Sequence, residues 1–482
     1  MANAIIKSIR NLFQSRATQS GLGVVTQASS LLSQQHNLVE SEMARRRKLW
    51  KQLYINQAPW LVPTKIYSAN LAAIACGEVA RLIALNFQSE VTGEPENNRA
   101  VNEVYTREIL WDIRNQVEYG LAFGGLIIKP YISNGVVHVA FMHPEDFEII
   151  AVDTDGSILE VYFKDYEKIG DAYIVRVEYH TFERENGTVT ITNSLYRADQ
   201  KGMLTSLIND TAATLQSIKR WSGLQEEQVL HNIRTPLFGA FKPATSNSHD
   251  PSSPYGVSIF DKAIPSIELA DRQLSALIRE FKVKEGRLYV DRLAIDSKAS
   301  IPHLDNDFYV KMEVDSKQGH TFFEVFSPEI RTDDFLRVFN KYQQLVEDSI
   351  GLMHGTFSTP DVADRTATEV RESKHRTYSL VSANQVSLQR ALEDAVYTIA
   401  VYLGVNPDSI EVLSVWDDSL LKDPHESMIT MAEDVAAGLI RPELYLAKKY
   451  KVSEAEALSM MPTVSQLLQD NDFRVPNDGG GE

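Results

Sequence analysis

A Gly-x-x-x-x-Gly-Lys-Ser/Thr run would cradle the phosphates of a nucleotide in backbone N–H groups, and this 482-residue chain has none. His425 precedes Glu426, but no second histidine follows four positions on, so no helix face presents the pair that a zinc protease needs. Gly256-Val-Ser258-Ile-Phe260 lacks the second glycine of a nucleophile elbow. His249 and Asp250 are adjacent beside Pro251 and read as a polar turn rather than a catalytic pair. Asp361 and Asp364 have the spacing of two metal carboxylates, with no third ligand at a useful spacing. The single cysteine, Cys76, excludes an intrachain disulfide, fits a reducing compartment and reads as a small core residue rather than a reactive thiol. Arg45-Arg-Arg-Lys48 reads as a solvated helix face before it reads as a nucleic-acid site. These residues argue for a non-enzyme that takes no metal and no cofactor.

The elements around them are more informative. Ile267, Ala270, Leu274, Leu277, Ile278 and Phe281 recur at helical spacing, and so do Phe335, Val338, Phe339, Tyr342, Leu345, Val346 and Ile350. Between these two helices lie three strand-like runs, at 287–293, 308–314 and 321–326. After the second helix, Gly351, Gly355 and Pro360 interrupt a stretch that ends near Arg365. Thr366-Ala-Thr-Glu369 then has the form of a capping box, and Val381, Leu388, Leu392, Val396, Ile399 and Leu403 continue at helical spacing. At about 1.5 Å per residue this helix would run roughly 55 Å. A helix that long, fed by a Gly- and Pro-broken loop, suggests a mechanical part rather than a catalytic pocket.

Earlier in the chain the patterning predicts helices over 66–87 and 101–121, with Trp50, Tyr54 and Trp60 packed near them. Runs at 126–131, 136–142, 161–166, 173–181 and 189–195 alternate with Asn-Gly and Asp-Gly turns, the signature of antiparallel hairpins. A short strand at 410–415 and further helices close the chain. No apolar run approaches the roughly 20 residues of a membrane span, and 5–13 is amphipathic with internal charge, unlike a signal-peptide core.

The order of helix, small β insert, helix, loop and long helix resembles that of a tailed-bacteriophage portal protein, of the type found in long-tailed (siphovirus-like) phages of Gram-positive bacteria. Further motifs resemble that family: 236–243 with 250–260 as the approach to the first stem helix, and 143–150 with 155–163 in the wing sheet. Thr366-Ala-Thr-Glu-Val370 resembles the start of the crossing helix, and 415–420, 436–440 and 453–457 the C-terminal region. The resemblance implies a mixed α+β portal fold: an N-terminal arm (1–40), a wing of helices and antiparallel sheet (41–256), a stem helix (257–282), a clip (283–331) and a second stem helix (332–350). A tunnel loop (351–365), a long crossing helix (366–403) and a wing return with an acidic crown (404–482) complete it.

It also implies a function. About twelve subunits would form a ring at one capsid vertex, assembled in the host cytoplasm and carried in the virion. The ring would pass double-stranded DNA during packaging and ejection, dock terminase and later a head-completion adaptor, and meet major capsid and scaffolding proteins, with no membrane. Gly351, His354, Gly355, Thr356, Pro360, Asp361, Asp364 and Arg365 would face the channel. Arg287, Arg292, Lys298, Lys311 and Lys317 would meet clip partners. Leu274, Leu277, Phe281, Phe335, Phe339 and Tyr342 would make subunit contacts in the stem. The loop is expected to exchange its amide hydrogens fastest in this half of the chain.

The formal net charge of −17 accords with a conduit, because a protein that grips duplex DNA neutralises phosphates with an excess of Lys and Arg. Residues 404–482 hold 15 Asp/Glu against 6 Lys/Arg, which places nine of those net negative charges at the C-terminal end. Two other classes stay open: a different phage head component such as a minor capsid protein, and a phage DNA-processing enzyme.

Overall fold

The computed structural model describes residues 39–61, 66–133, 135–170, 172–200, 203–208, 210–284, 287–291, 309–312, 323–326, 331–360, 367–416, 424–450 and 452–461. The fold mixes helix and sheet. It divides into two compact units, 1–416 and 417–482.

In the first unit, helix α1 (Val39–Tyr54) carries the basic run. Arg46 lies 3.5 Å from the buried Asp261 carboxylate, Trp50 Nε1 donates to the same group at 2.8 Å, and the Arg47 guanidinium stacks on Tyr255 at 4.3 Å. His249 Nε2 also reaches Asp261, at 2.6 Å, so its carboxylate neighbour is not Asp250. Arg46 and Arg47 thus help hold α1 to the body, while Arg45 and Lys48 are exposed. Helix α2 (Leu71–Ile83) is shorter than its pattern predicts. Its forerunner is drawn out of helical geometry because Tyr67 N donates to Ser275 Oγ and Ala69 N to Asp271 Oδ1, both at 2.7 Å. Cys76 is fully buried on α2, and burial raises its thiol pKa.

Strand β1 (Gln88–Gly93) follows, then α3 (Pro95–Tyr105), a π-helical turn (Thr106–Leu110) and α4 (Ile113–Phe123). The single helix predicted over 101–121 is thus broken. Asp112 leaves helical dihedrals (φ −125°), and its carboxylate accepts from Asn115 and Gln116 at 2.6 Å each. Next come β2 (Leu126–Ser133), β3 (Val136–Met142), β4 (Phe147–Val152), β5 (Ile158–Ile169), β6 (Ala172–Glu183), β7 (Thr188–Gln200) and β8 (Met203–Leu207). The short α5 (Thr211–Ser217), β9 (Glu227–His231) and β10 (Gly239–Phe241) complete this half.

Strands β4 to β8 form an antiparallel meander in chain order, with β9 pairing β7. A three-stranded sheet has the order β10-β2-β3. A buried ion cluster ties the two sheets together. Lys129 Nζ on β2 and Arg176 on β6 both lie 2.6 Å from Glu178 Oε2, and His180 Nε2 lies 2.6 Å from Oε1. Burial alone would raise the Glu178 pKa, but the two cations overcome it and hold the carboxyl well below its usual range.

Helices α6 (Ile264–Lys284) and α7 (Thr332–Ile350) form a helical hairpin over the residues expected for the stem. The Arg331 guanidinium meets Glu280 at 3.2 Å, and Gln273 Nε2 donates to Phe335 O. Between the helices lie β11 (Arg287–Asp291), β12 (Tyr309–Met312) and β13 (Phe323–Phe326), paired parallel on one side of β11 and antiparallel on the other. The long helix α8 spans Ala367–Leu403, 37 residues. Thr366, the first residue of the capping-box sequence, lies outside the described residues. Strand β14 (Ile410–Val415) pairs antiparallel with β1, joining the C-terminal end of the first unit to the segment that follows α2.

The described part of the second unit holds α9 (Pro424–Ala436), α10 (Pro442–Tyr450) and α11 (Glu454–Met460). Helix α11 opens on a complete capping box: Ser453 Oγ accepts from Glu456 N, and the Glu456 carboxylate accepts from Ser453 N.

Strand β10 lies tightly against α8. A Cβ built on Gly239 would lie 1.8 Å from the Ala391 carbonyl oxygen, which belongs to a helix backbone and cannot swing aside. Gly239→Ala is therefore expected to lift β10 off α8 and lower stability by about 2 kcal/mol or more, read from the urea midpoint. On α8, burial first and the neighbouring Glu393 second push Asp394 up to about 6. Ionising it at neutral pH thus costs stability, and the cost disappears as pH falls through 6 toward the unfolded value near 4. Asp394→Asn should stabilise the protein at pH 7.5 by about 1 to 3 kcal/mol, and a melting series should show the gain vanishing near pH 4.

Candidate functional site

The loop between α7 and α8 is built from one end. Gly351 takes the left-handed conformation (φ 96°) that stops α7, and the amides of Gly351 and Leu352 both return to the Glu347 carbonyl, at 2.9 and 2.8 Å. Leu352 is buried at once. The Glu347 side chain, fully buried, then turns along the loop and accepts at both oxygens. Phe357 N and Ser358 N donate to Oε1 at 2.8 and 2.9 Å, while Ser358 Oγ and Gly355 N donate to Oε2 at 2.7 and 3.3 Å.

Two more α7 side chains extend the seam. Gln343 Nε2 donates to Phe357 O at 3.1 Å; Asn340 accepts from Thr359 N at 2.6 Å and donates to Thr359 O at 3.0 Å. Asn340, Gln343 and Glu347 share one helix face by spacing. Within the loop, Thr356 Oγ1 donates to Met353 O at 2.6 Å, and Pro360 packs under Gly355, where an added Cβ would meet it at 3.3 Å. From α8 the side chain of Thr377, itself buried, accepts from Met353 N at 2.7 Å. Asp348 bridges the two helices, 3.2 Å from Arg376 and 2.9 Å from His354 Nε2.

Within the loop 351–365, expected to exchange fastest in this half, the amides of residues 353, 355, 357, 358 and 359 are all bonded. Of the predicted channel residues, Gly351, His354, Gly355 and Thr356 fall in this pinned segment, and Pro360 directly follows it. Asp361, Asp364 and Arg365 lie outside the described residues. In the predicted clip, Arg287 stands on β11 opposite Phe326 and Lys311 on β12 opposite Val290. Arg292, Lys298 and Lys317 lie outside the described residues.

The stem residues divide. Leu277 is only 8% exposed in the single chain, so most of its surface is taken by intrachain packing. Leu274, Phe335, Phe339 and Tyr342 are half-buried, and Phe281 is 46% exposed. Leu269, Leu336, Val338 and Leu345 are the other large apolar side chains exposed on the hairpin.

Sequence reasoning named none of Asn340, Gln343, Glu347 and Thr377. The signal that could have found them is a run of amide and carboxylate side chains at i, i+3 and i+7, directly ahead of a Gly-, Ser- and Thr-rich loop with free backbone donors. Patterning by hydrophobicity passes over such a run, because it scores these positions as solvent-facing.

No protein-family model matches this chain, and no curated protein is similar to it. Among solved structures it is similar to a chain in the neck of an empty GTA particle, computed with C6 symmetry: TM-score 0.41, 10% identity, covering 82% of this chain and 90% of that one. It is also similar to a chain in the neck of the native GTA particle, computed with C12 symmetry: TM-score 0.42, 10% identity, covering 87% and 94%.

The two loop glycines differ in what a side chain would meet. Gly351 has open space around its Cβ position, so a substitution there acts through φ alone; Gly355 (φ 93°) adds the contact with Pro360. Gly351→Val is expected to cost about 1 to 2 kcal/mol, and Gly355→Val more. Gly351→Asn should recover most of the loss, because asparagine tolerates the left-handed region. Thermal melts of the purified variants would read all three.

Proposed function

We propose that this chain is the subunit of a phage portal, a ring of about twelve copies at one capsid vertex that conducts double-stranded DNA and has no catalytic activity of its own. Terminase during packaging, and a head-completion adaptor afterwards, are its proposed docking partners, with the β11–β13 module at the stem tip as the docking element. The observation that carries this reading is the hairpin of α6 and α7 with a three-stranded module at its tip, followed by a loop held to α7 and a 37-residue helix crossing the body. The siphovirus-like assignment rests on the sequence resemblance alone.

Two physical features support it. Leu269, Phe281, Leu336, Val338 and Leu345 leave apolar surface uncovered on the stem. A neighbouring copy would bury that surface at about 25 cal/mol per Å² before association costs. The net charge of −17 gives a polyanion no general surface to adhere to. Among the described residues, no helix is long and apolar enough to cross a membrane.

Purified protein should sediment as a ring of about twelve subunits and show an axial channel in negative stain. Val338→Asp with Leu345→Asp should shift it at least tenfold toward smaller species while far-UV circular dichroism stays unchanged. A chain that remains monomeric at micromolar concentration and does not enter particles overturns the reading. Particles carrying it in many copies rather than at one vertex would favour a minor capsid protein instead, and metal-dependent DNA cleavage with turnover would favour the enzyme.

A further inference from the structure

We infer that α7 and residues 351–359 form a single body, that Glu347 is the positioning residue holding the loop in that body, and that Thr377 and Arg376 of α8 are its releasable attachment. The function assigned to this division rests on the portal reading; the division itself does not.

The asymmetry of the contacts carries the inference. Toward α7 the loop is secured along its length. Residues 355, 357 and 358 bond a carboxylate with no exposed surface, and residues 357 and 359 bond Gln343 and Asn340. Separating that seam would strand a buried carboxylate and several backbone groups at once. Toward α8 the loop is held through Met353 N on Thr377 Oγ1, while α7 itself meets α8 through Asp348 and the half-exposed Arg376. Water can replace an exposed ion pair at little cost. A displacement between α7 and α8 that opens at Met353–Thr377 and Asp348–Arg376 breaks one bond to a buried hydroxyl and an exposed ion pair, fewer than along the α7 seam, so the loop travels with α7. In a DNA channel, the ring of loops would then follow the stem helices rather than the crossing helices.

Hydrogen exchange on the full-length protein tests the division. Glu347→Gln should speed exchange at residues 355, 357 and 358 at least tenfold and leave Met353 unchanged. Thr377→Val, which removes the acceptor but keeps the shape, should do the reverse. If Glu347→Gln does not fold, Asn340→Ala gives the same reading at Thr359. Equal loosening of both sets by either variant overturns the inference.

Two engineered disulfides test the positioning role in genome packaging by the virus that carries the protein. Joining Asn340→Cys to Thr359→Cys, within the proposed body, should leave packaged DNA per particle within twofold of normal. Joining Met353→Cys to Thr377→Cys, across the attachment, should lower it at least tenfold, with recovery on reduction. Inhibition by the first lock, or none by the second, overturns the positioning role. Failure to form rings would sink the portal reading while leaving the exchange result to decide the division.

Discussion

Helix α8 is buried along one face from Thr377 to Ala400, and its polar side chains on and beside that face are spent on the backbones of other elements. Asn384 Oδ1 accepts from Ala244 N at 3.1 Å, and Ser387 Oγ both accepts from Lys242 N and donates to Lys242 O. Gln385 Nε2 reaches the last carbonyl of α2, at Ile83, and Gln389 Nε2 reaches Val412 O on β14. Tyr397 OH accepts from Arg234 N. Each bond fixes one segment against a particular turn of α8, so rotating or sliding the helix by one residue would break several together. The fit at Gly239, where strand backbone lies against helix backbone, removes the remaining tolerance.

That constraint explains what was legible in the sequence. The apolar face of α8 repeats over many turns, so periodicity alone marks it, and the same is true of α6 and α7. Strands β2, β3 and β14 were marked by alternation and bounding turns. Strand β1 was not, because Gln88-Ser-Glu-Val-Thr-Gly93 has one buried apolar residue, Val91, and takes its conformation from pairing with β14 some 320 positions away. The overextended α2 and the unbroken 101–121 helix failed for a related reason. Side chains of Asp271, Ser275 and Asp112 captured groups that a local pattern assigns to a helix.

The candidate site was legible in outline and not in mechanism. Two glycines and a proline mark a loop, and both glycines do take left-handed dihedrals. Glycine only permits a conformation; the mobility of a loop depends on where its amide donors go. Those donors go to Glu347, a residue whose type and position in an amphipathic helix look like ordinary surface. The stem shows the opposite limit. One apolar stripe serves two purposes, with Leu277 used inside the hairpin and Phe281 left outside, and periodicity does not separate a residue that packs within its chain from one that waits for a neighbour.

Two buried carboxylates in this fold are satisfied in different ways, and the difference bears on how each can move. Glu178 is surrounded by Lys129, Arg176 and His180, side chains anchored on sheet strands, so its environment persists as long as the sheets do. Glu347 is surrounded by amide N–H groups and a serine hydroxyl from one short loop. Its donors are backbone and side-chain groups of residues 355, 357 and 358, so they are in position only while that short loop is seated, and a buried carboxylate without donors is costly. A buried acceptor of this kind therefore specifies a geometry more than it adds net stability.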